Sequence, residues 1–412
     1  MYNEQIKQIY GNLVYYMKIL YYNNGSGLGT AKSGGTARHI ETAKVLQNKN
    51  VEVNIVTTKG AIALYNAEDL VVNDLTEVRS SINANVEKNP YQRALGYVIS
   101  TIHSLLLTPK LCHVDFVYSV SDYFCDVLPT IAYKIINPKT ICVVMIHHMC
   151  KSPLKRKGNF LLNTASFIFQ RINYLLVKIF ADLVLLYDTS EGRAISMYIY
   201  GSEKSPKVKY VYNGIDVKAI SKIKKPSKYK YDACFAGGLR VTKGIYDLIP
   251  IWKNVTEKYP NAVIAVAGEG TATVTQDLLS NIKANGLEQN IVLLGALKSD
   301  ALYKLLKSSK VFVSSSHEEG WGIAVCEALA CSTPVVAYDL PAFGFLKNTI
   351  SKVPRYDSLK FSKEIIKLLD SREYAIEKGI KGSKFVERFD WYNIGISEYT
   401  ILQNALKINV KH

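Results

Sequence analysis

Short apolar runs alternate with longer segments of helical spacing along most of the chain. Each run is apolar at consecutive positions, which is typical of strands buried on both faces in a parallel sheet. The intervening segments are long enough for helices that cover such a sheet from both sides. The pattern therefore predicts an α/β fold, with strands at residues 18–22, 52–57, 114–118, 141–146, 183–187, 208–212, 233–236, 262–267, 291–294, 311–313 and 335–337.

A lysine-rich stretch divides this alternation into two series. Residues 201–230 contain nine lysines and only two acidic residues, which is typical of a solvated linker. We therefore expect two Rossmann-like domains, at residues 1–216 and 231–390, joined by a linker at 217–230. Residues 391–406 have apolar positions at helical spacing and predict a last helix that packs back on the N-terminal domain.

The most informative segment follows the predicted strand at 311–313. A loop with two glycines comes first, then an apolar helix and another strand, which together make a βαβ unit. Glu319 lies in the loop, and Glu327 lies eight residues later in the helix. Carboxylates suit sugar hydroxyls, and the free N–H groups at a helix start suit a phosphate, so the segment points to a nucleotide-sugar. The N–H groups in question belong to Gly322, Ile323 and Ala324.

This segment resembles the E-x7-E motif of retaining glycosyltransferases of family 4, which have the GT-B fold of two facing Rossmann-like domains. Glu319 and Glu327 match the two glutamates, and the Gly-Trp-Gly and Pro-Val-Val stretches near them follow the family's pattern. The resemblance implies that Glu319 contacts the sugar hydroxyls of the donor and that Glu327 contacts its ribose. Two glutamates eight residues apart are also compatible with an ordinary helix that they cap and solvate.

A second glycine-containing turn follows the predicted strand at 233–236. Gly237 and Gly238 permit a diphosphate to approach the backbone, and Lys243 supplies a full positive charge. The family has a lysine followed by a glycine here, which this chain matches. The family arginine five residues before the lysine is Gly238 in this chain, and Arg240 stands two positions later. The sequence thus predicts Lys243 as a phosphate ligand and leaves open whether Arg240 reaches the phosphate or belongs to an ordinary basic turn.

Two further motifs lie at predicted strand ends in the N-terminal half. The glycine-rich loop at 25–36 satisfies neither the dinucleotide fingerprint nor the P-loop pattern. It resembles the family's first loop, in which a pair of glycines, here Gly34 and Gly35, opens the first helix near the donor and acceptor. His147 ends the strand at 141–146 and matches the family's active-site histidine, which implies a contact with the transferred sugar or the acceptor. A flexible surface loop and a structural histidine are the simpler interpretations.

Composition restricts the partners and the compartment. The net charge of +16, from 51 basic and 35 acidic residues, favours anionic ligands such as nucleotides or phospholipid headgroups. No nucleic-acid recognition module is recognisable, so we expect no nucleic acid as a partner. The seven cysteines are scattered without a C-x-x-C pair, which argues against a zinc site or a disulfide framework. No apolar stretch is long enough for a bilayer span and no signal peptide is recognisable, so we expect a cytoplasmic protein.

Residues 151–180 interleave basic and apolar side chains and contain no acidic residue. This composition is typical of a helix that lies on an anionic membrane surface without spanning it. A buried domain helix with a basic flank has the same composition, and the sequence does not separate the two. The membrane interpretation places the protein on the inner face of the cell membrane, and the basic residues that carry it are Lys151, Lys155, Arg156, Lys157, Arg171 and Lys178.

The resemblance implies a retaining hexosyltransferase that moves a sugar from a nucleoside diphosphate to an acceptor hydroxyl, in cell-surface or lipid-linked glycan synthesis. His147, Lys243 and Glu319 act at the reacting sugar in this interpretation. No D-x-D motif is present, so we expect neither a cofactor nor an essential metal ion. A catalytically idle homologue that binds a nucleotide-sugar or organises a glycan-assembly complex remains open, as does a nucleotide-sugar epimerase.

Overall fold

The computed structural model describes residues 16–25, 34–66, 70–79, 90–156 and 159–409. Within these residues the chain forms two parallel sheets, one in each half. Buried apolar side chains lie on both faces of each sheet, because helices cover both sides.

The strands of the N-terminal sheet are β1 (Met17–Asn23), β2 (Val51–Thr58), β3 (Asp74–Val78), β4 (Phe116–Ser119), β5 (Ile141–Ile146), β6 (Leu183–Tyr187) and β7 (Val208–Val211). They pair in the order β3-β2-β1-β4-β5-β6-β7. The central strands are buried along nearly their whole length, which explains their continuous apolar sequences. The helices of this half are α1 (Gly34–Gln47), α2 (Lys59–Asn66), α3 (Pro90–Leu107), α4 (Phe124–Ile136), α5 (Phe160–Phe180) and α6 (Ser190–Tyr200).

The strands of the C-terminal sheet are β8 (Tyr231–Ala236), β9 (Ile264–Ala267), β10 (Ile291–Gly295), β11 (Ser309–Ser314), β12 (Val335–Tyr338) and β13 (Ser351–Val353). They pair in the order β10-β9-β8-β11-β12-β13. The helices of this half are α7 (Val217–Lys222), α8 (Leu248–Lys258), α9 (Ala272–Ala284), α10 (Ser299–Lys307), α11 (Ile323–Ala330), α12 (Ser358–Asp370), α13 (Arg372–Val386) and α14 (Trp391–Asn409).

The strands that the apolar pattern did not predict are β3 and β13, and each lies at the edge of its sheet. Most side chains of β3 are at least partly exposed, and β13 has three residues. An edge strand pairs on one side only and needs no continuous apolar run. These two strands therefore lack the signal that the central strands carry.

The segment predicted as a solvated linker begins with a helix. Asp216 is the N-cap of α7, and its side chain accepts a hydrogen bond from the backbone N–H of Ala219 at 2.7 Å. A carboxylate in this position satisfies one of the free donors of the first turn. Residues 223–230 contain no regular secondary structure. The extended connection is thus shorter than the lysine-rich composition indicated.

The chain leaves the C-terminal half close to the point at which it entered. The N–H of Ile215 donates to the carbonyl oxygen of Phe389 at 2.9 Å, and the N–H of Trp391 donates to the carbonyl oxygen of Ile215 at 3.2 Å. From there α14 packs along α1. The last helix therefore completes the N-terminal domain.

A buried ion pair holds α14 against α1. Nη2 of Arg38 lies 2.5 Å from Oε2 of Glu398, and both side chains are nearly inaccessible to solvent. The hydroxyl of Tyr118, in β4, donates to the other oxygen of Glu398 at 3.1 Å. The three side chains join the two helices to the sheet.

The carboxyl ends of the two sheets face each other across a cleft. Gly320 follows β11, and a Cβ at this position would lie 2.7 Å from the carbonyl oxygen of His147, which follows β5. A side chain at position 320 would therefore force the two domains apart. Ligands of open parallel sheets bind at the carboxyl ends of the strands, so this cleft is the expected position of the site.

Candidate active site

Lys243 and Glu319 form an ion pair between the two glycine-containing loops of the C-terminal half. Nζ of Lys243 lies 2.5 Å from Oε1 of Glu319, and the hydroxyl of Ser316 donates to the same oxygen at 2.8 Å. The two charged side chains keep 20% and 15% of their surface accessible. The fold thus joins a cation and a carboxylate that lie 76 residues apart and that were predicted from separate motifs.

The two loops are also joined through their backbones. Gly244 has a φ of +66°, and a Cβ there would lie 1.9 Å from the carbonyl oxygen of Ser315. The hydroxyl of Ser315 donates to the carbonyl oxygen of Gly244 at 2.8 Å, and the N–H of His317 donates to that of Thr242 at 2.9 Å. Glycine is required after Lys243 because of this close approach.

Helix α11 begins four residues after Glu319. Its N-cap is Gly322, and no side chain of the described residues caps this end of the helix. Ile323 and Ala324 are half-buried residues of the first turn, where backbone N–H groups have no partner within the helix. These donors and the positive end of the helix dipole suit an anion.

Glu327 lies on α11 and is half-buried. The hydroxyl of Tyr303 donates to its Oε1 at 3.4 Å. Burial raises the pKa of the Glu327 carboxyl to about 7, and the nearby charge of Asp216 acts in the same direction. A ligand with hydroxyl donors would replace the hydrogen bonds to water that the Glu327 carboxylate loses on burial.

His147 uses both of its ring nitrogens inside the N-terminal domain. Nε2 lies 2.9 Å from the carbonyl oxygen of Val120, and Nδ1 lies 3.0 Å from the hydroxyl of Tyr187. Because a carbonyl only accepts, Nε2 carries the proton and the tyrosine donates to Nδ1. Burial lowers the pKa of His147 to about 4, so the ring is neutral at physiological pH. The tyrosine hydroxyl is held in turn by the side-chain amide of Asn213 at 3.0 Å.

Gly34 and Gly35 are the first residues of α1, and both face the cleft. A Cβ at Gly35 would lie 2.9 Å from Nε2 of His147, and one at Gly34 would lie 3.2 Å from Cδ1 of Ile323. The predicted glycine pair therefore lies beside both the predicted histidine and the start of α11. Residues 26–33 of the predicted loop lie outside the described residues.

Gly237 and Gly238 follow β8, as the sequence predicted, but Arg240 is separate from the ion pair. Arg240 is exposed, and its Nε lies 3.3 Å from the position that a Cβ at Gly238 would occupy. Within the described part of the chain it makes no ion pair with Glu319, in contrast to Lys243. Its side chain folds back over the glycine turn.

The sequence predictions missed the contacts that cross the cleft. Nζ of Lys151 donates to the carbonyl oxygen of His317 at 3.0 Å. Nζ of Lys151 and Nε of Arg156 lie 3.6 and 3.5 Å from the carboxylate oxygens of Glu318. Two basic residues predicted to face a membrane thus face the C-terminal domain. No motif signals these contacts, because they depend on how the two domains meet.

The apolar side chains predicted within residues 151–180 lie on α5, and several of them are exposed. The helix α3 of the same domain has a second exposed apolar face. None of the described helices combines the length and the apolarity that a bilayer span requires. The side chain of Lys155 and the whole of Lys157 lie outside the described part of the chain. The apolar side chains on these faces have exposed fractions between 43% and 67%, and they are Leu95, Val98, Ile102 and Leu106 on α3 and Leu161, Ile168, Ile172, Leu175 and Ile179 on α5.

Comparisons with known proteins identify similar sequences for the C-terminal half and similar structures for both domains. Residues 216–382 match the model of the family described as glycosyl transferases group 1. An uncharacterised glycosyltransferase of Methanocaldococcus jannaschii is 32% identical over 185 residues, which are 42% of this chain and 44% of that protein. The GDP-mannose:cellobiosyl-diphosphopolyprenol alpha-mannosyltransferase of Xanthomonas oryzae is 22% identical over 198 residues, which are 46% of this chain and 50% of that protein. The chain thus spans about half the length of the curated relatives that it matches.

The similarity in structure extends over both domains. The crystal structure of Anabaena HepE in complex with UDP and glucose covers 94% of this chain and 99% of its own, with a TM-score of 0.72 and 18% identity. At this identity the likeness establishes the fold, which is the one predicted from the sequence. The chain therefore has the GT-B fold, and its residues 216–382 match the family model of the glycosyl transferases group 1.

Proposed function

We propose that the protein is a retaining glycosyltransferase, which moves a hexose from a nucleoside diphosphate to an acceptor hydroxyl. The observation that carries the proposal is the ion pair of Lys243 and Glu319 beside the start of α11. A nucleotide-sugar can bind both members of the ion pair. Its diphosphate binds the ammonium of Lys243, and its sugar hydroxyls donate to the carboxylate of Glu319. Donor binding thus exchanges this ion pair for two sets of contacts with the ligand.

The same residues stabilise the leaving group. Negative charge develops on the diphosphate as the bond to the sugar breaks, and Lys243 lies where it can neutralise that charge. The N–H groups of Ile323 and Ala324 add fixed donors, which stabilise a transition state without reorganisation. Glu327 takes the ribose hydroxyls in this arrangement. The positive charge supplied by the lysine and the helix replaces the metal ion of other transferases, so the proposal needs no cofactor beyond the donor itself.

His147 has a positioning role in this proposal. Its bonds to Val120 and Tyr187 fix the ring at the end of β5, beside Gly35 and opposite Gly320. The neutral ring can donate from Nε2 to a sugar hydroxyl only by giving up the bond to Val120. We therefore expect the donor sugar to compete with that carbonyl oxygen for the histidine.

The proposed acceptor is a lipid-linked glycan at the surface of an anionic membrane. The exposed apolar faces of α3 and α5 support this part of the proposal, since large contiguous apolar surfaces mark interaction sites. The Xanthomonas relative, whose name gives a diphosphopolyprenol acceptor, is consistent with it. A peripheral position on the inner face of the cell membrane follows from the same proposal.

A panel of nucleotide-sugars tests the function. We expect one donor to raise the melting temperature and to yield a transferred product whose anomeric configuration, measured by NMR, is that of the donor. Glu319→Gln is expected to abolish transfer, and Glu288→Gln, at an exposed position of the same domain, serves as the matched control. An inverted product would overturn the retaining mechanism. Epimerisation of the donor without transfer would identify an epimerase. If the donors that raise the melting temperature are bound but never turned over, the protein is an idle homologue.

A further inference from the structure

Lys151 and Arg156 converge on a single carboxylate at the mouth of the cleft. Their nitrogens lie 3.6 and 3.5 Å from the carboxylate oxygens of Glu318, which is 15% exposed. Neither distance is short enough for a good hydrogen bond. The only hydrogen bond that the structure gives to either side chain, within the described residues, is from Lys151 to the carbonyl oxygen of His317 at 3.0 Å.

The charges in this group do not balance. Two full positive charges face one carboxylate, and most of their N–H donors point to no protein acceptor among the described residues. Glu191 also lies within electrostatic reach of Lys151, but its carboxylate accepts from the N–H of Met149 at 2.8 Å, and burial raises its pKa. A lysine and an arginine side by side suit a phosphate, which accepts hydrogen bonds from both side chains.

We infer that Lys151 and Arg156 form a binding site for a phosphate group of the acceptor, and that Glu318 occupies this site when the acceptor is absent. This inference rests on the proposed function, because it places the acceptor in the N-terminal half of the cleft. A phosphate monoester or diphosphate carries more charge than a carboxylate and accepts from both side chains at once. It therefore displaces Glu318, just as the donor diphosphate displaces Glu319 from Lys243.

The position of the site restricts the acceptor further. Glu318 and Glu319 are consecutive residues, so the proposed acceptor-phosphate site adjoins the proposed sugar site. We therefore expect the acceptor hydroxyl on the sugar that carries the phosphate, or on the next one along the glycan. The site accordingly favours an early sugar of a phosphate-linked glycan and not the end of a long chain.

Binding of simple probes tests the site separately from transfer. The donor phosphate site is first removed by Lys243→Met, and octyl phosphate, inorganic phosphate and octanol are then titrated calorimetrically. We expect octyl phosphate to bind and octanol not to bind. Lys151→Met and Arg156→Met should each lower the affinity for octyl phosphate by about tenfold, as expected for the loss of a charge-assisted contact. Lys204→Met, at an exposed lysine of the same domain and outside α5, is the matched control and should change nothing.

Glu318→Gln decides between an anion site and a structural contact. The inference requires this substitution to strengthen octyl phosphate binding several-fold, because the competing carboxylate is neutralised. If Glu318→Gln weakens binding as the lysine and arginine variants do, the three residues only hold the domains together and the inference is overturned. Unchanged binding in both Lys151→Met and Arg156→Met overturns it as well.

The other two probes identify the source of the phosphate. Equal affinities for inorganic phosphate and octyl phosphate would assign the site to a free anion and would overturn the acceptor assignment. A chain that binds octyl phosphate in the expected pattern but transfers no sugar from any donor would retain this site and refute the proposed function. The two failures are therefore distinguishable.

Discussion

At the scale of single residues, the cleft contains charged groups whose partners belong to the protein until a ligand replaces them. Lys243 and Glu319 neutralise each other at 2.5 Å, and the single carboxylate of Glu318 lies 3.6 and 3.5 Å from Lys151 and Arg156, whose two charges it offsets only in part. An unpaired charge in a half-buried cleft costs free energy, which the internal partner offsets. In our proposal, groups of the donor and of the acceptor take the places of Glu319 and Glu318 beside these cations.

Lys243→Ala is expected to weaken the binding of a nucleoside diphosphate much more than the binding of the free nucleoside. Loss of a hydrogen bond to a charged group costs roughly 1.5–3 kcal/mol, which is about a ten- to hundredfold change in affinity. Isothermal titration with the two ligands measures the difference. Arg240→Ala is the natural comparison, because this arginine is exposed and turned over Gly238, and we expect a change below about threefold. Equal losses for nucleoside and diphosphate would show that Lys243 serves the fold and not the phosphate.

Glu327 should make stability depend on pH. Its folded pKa of about 7 lies above the ordinary value of 4.5, so the folded state prefers the protonated carboxyl. The resulting stabilisation is fully present below pH 4.5 and is lost as the pH rises to 7. Relative to Glu327→Gln, the wild type should therefore lose up to about 3 kcal/mol of unfolding free energy across this window. Urea denaturation of both proteins at pH 5, 6, 7 and 8 tests this, and parallel pH profiles would contradict it.

At the scale of elements, α14 is the part of the fold with the most specific anchor. Arg38 and Glu398 are buried to 2% and 1% exposure, so their ion pair is removed from water. Removal of one partner from such a pair leaves a buried charge and typically costs 3–5 kcal/mol, whereas replacement of both by apolar residues is often nearly neutral. The pair therefore determines where the last helix docks more than how stable it is.

Glu398→Ala is accordingly expected to destabilise the protein by about 3–5 kcal/mol, measured by urea denaturation. The double variant Arg38→Met with Glu398→Leu should recover most of that loss, because no unpaired charge remains. The single variants Arg38→Met and Glu398→Leu complete the comparison. If their losses of unfolding free energy simply add in the double variant, the two side chains do not interact in solution as the structure indicates.

At the scale of the whole molecule, the exposed apolar faces of α3 and α5 lie on the N-terminal domain, which binds the acceptor in our proposal. The basic residues Lys151 and Arg156, which the sequence placed against a membrane, instead contact Glu318 of the C-terminal domain. In our proposal, apolar contacts supply most of the membrane affinity. We therefore expect membrane binding to depend on the exposed apolar face of α5 more than on the basic residues of the segment.

Replacement of four apolar residues on α5 by serine should weaken binding to anionic vesicles on the order of a thousandfold, at roughly 1 kcal/mol for each half-exposed side chain. The four positions are Ile168, Ile172, Leu175 and Ile179. Co-sedimentation with vesicles measures the loss, and donor affinity should not change. The matched control replaces four apolar residues of similar exposure in the C-terminal domain, which are Leu279, Leu359, Ile376 and Ile380. Equal effects of the two sets, or no wild-type binding at all, would leave a soluble acceptor as the better proposal.

The sequence by itself determined the two α/β halves and the central strands of both sheets. Buried parallel strands require consecutive apolar residues, so their signal is local and strong. The sequence also predicted Glu319, Glu327 and Lys243 as site residues, through their resemblance to family motifs beside glycine-containing turns, and their roles stay a prediction. Gly244 is required in its turn, since a Cβ there would lie 1.9 Å from the carbonyl oxygen of Ser315.

Only the tertiary structure decided the features that depend on which elements become neighbours. The edge strands β3 and β13 carry no apolar run, because β3 is largely exposed and β13 has only three residues, each pairing on one side. The bonds of His147 to Val120 and Tyr187, and the contacts of Lys151 and Arg156 with Glu318, join residues from distant parts of the chain. A basic residue has the same local signature beside a lipid headgroup, a diphosphate or a carboxylate of the facing domain. The partner of each charge is therefore determined by how the two domains meet, which local sequence spacing does not encode.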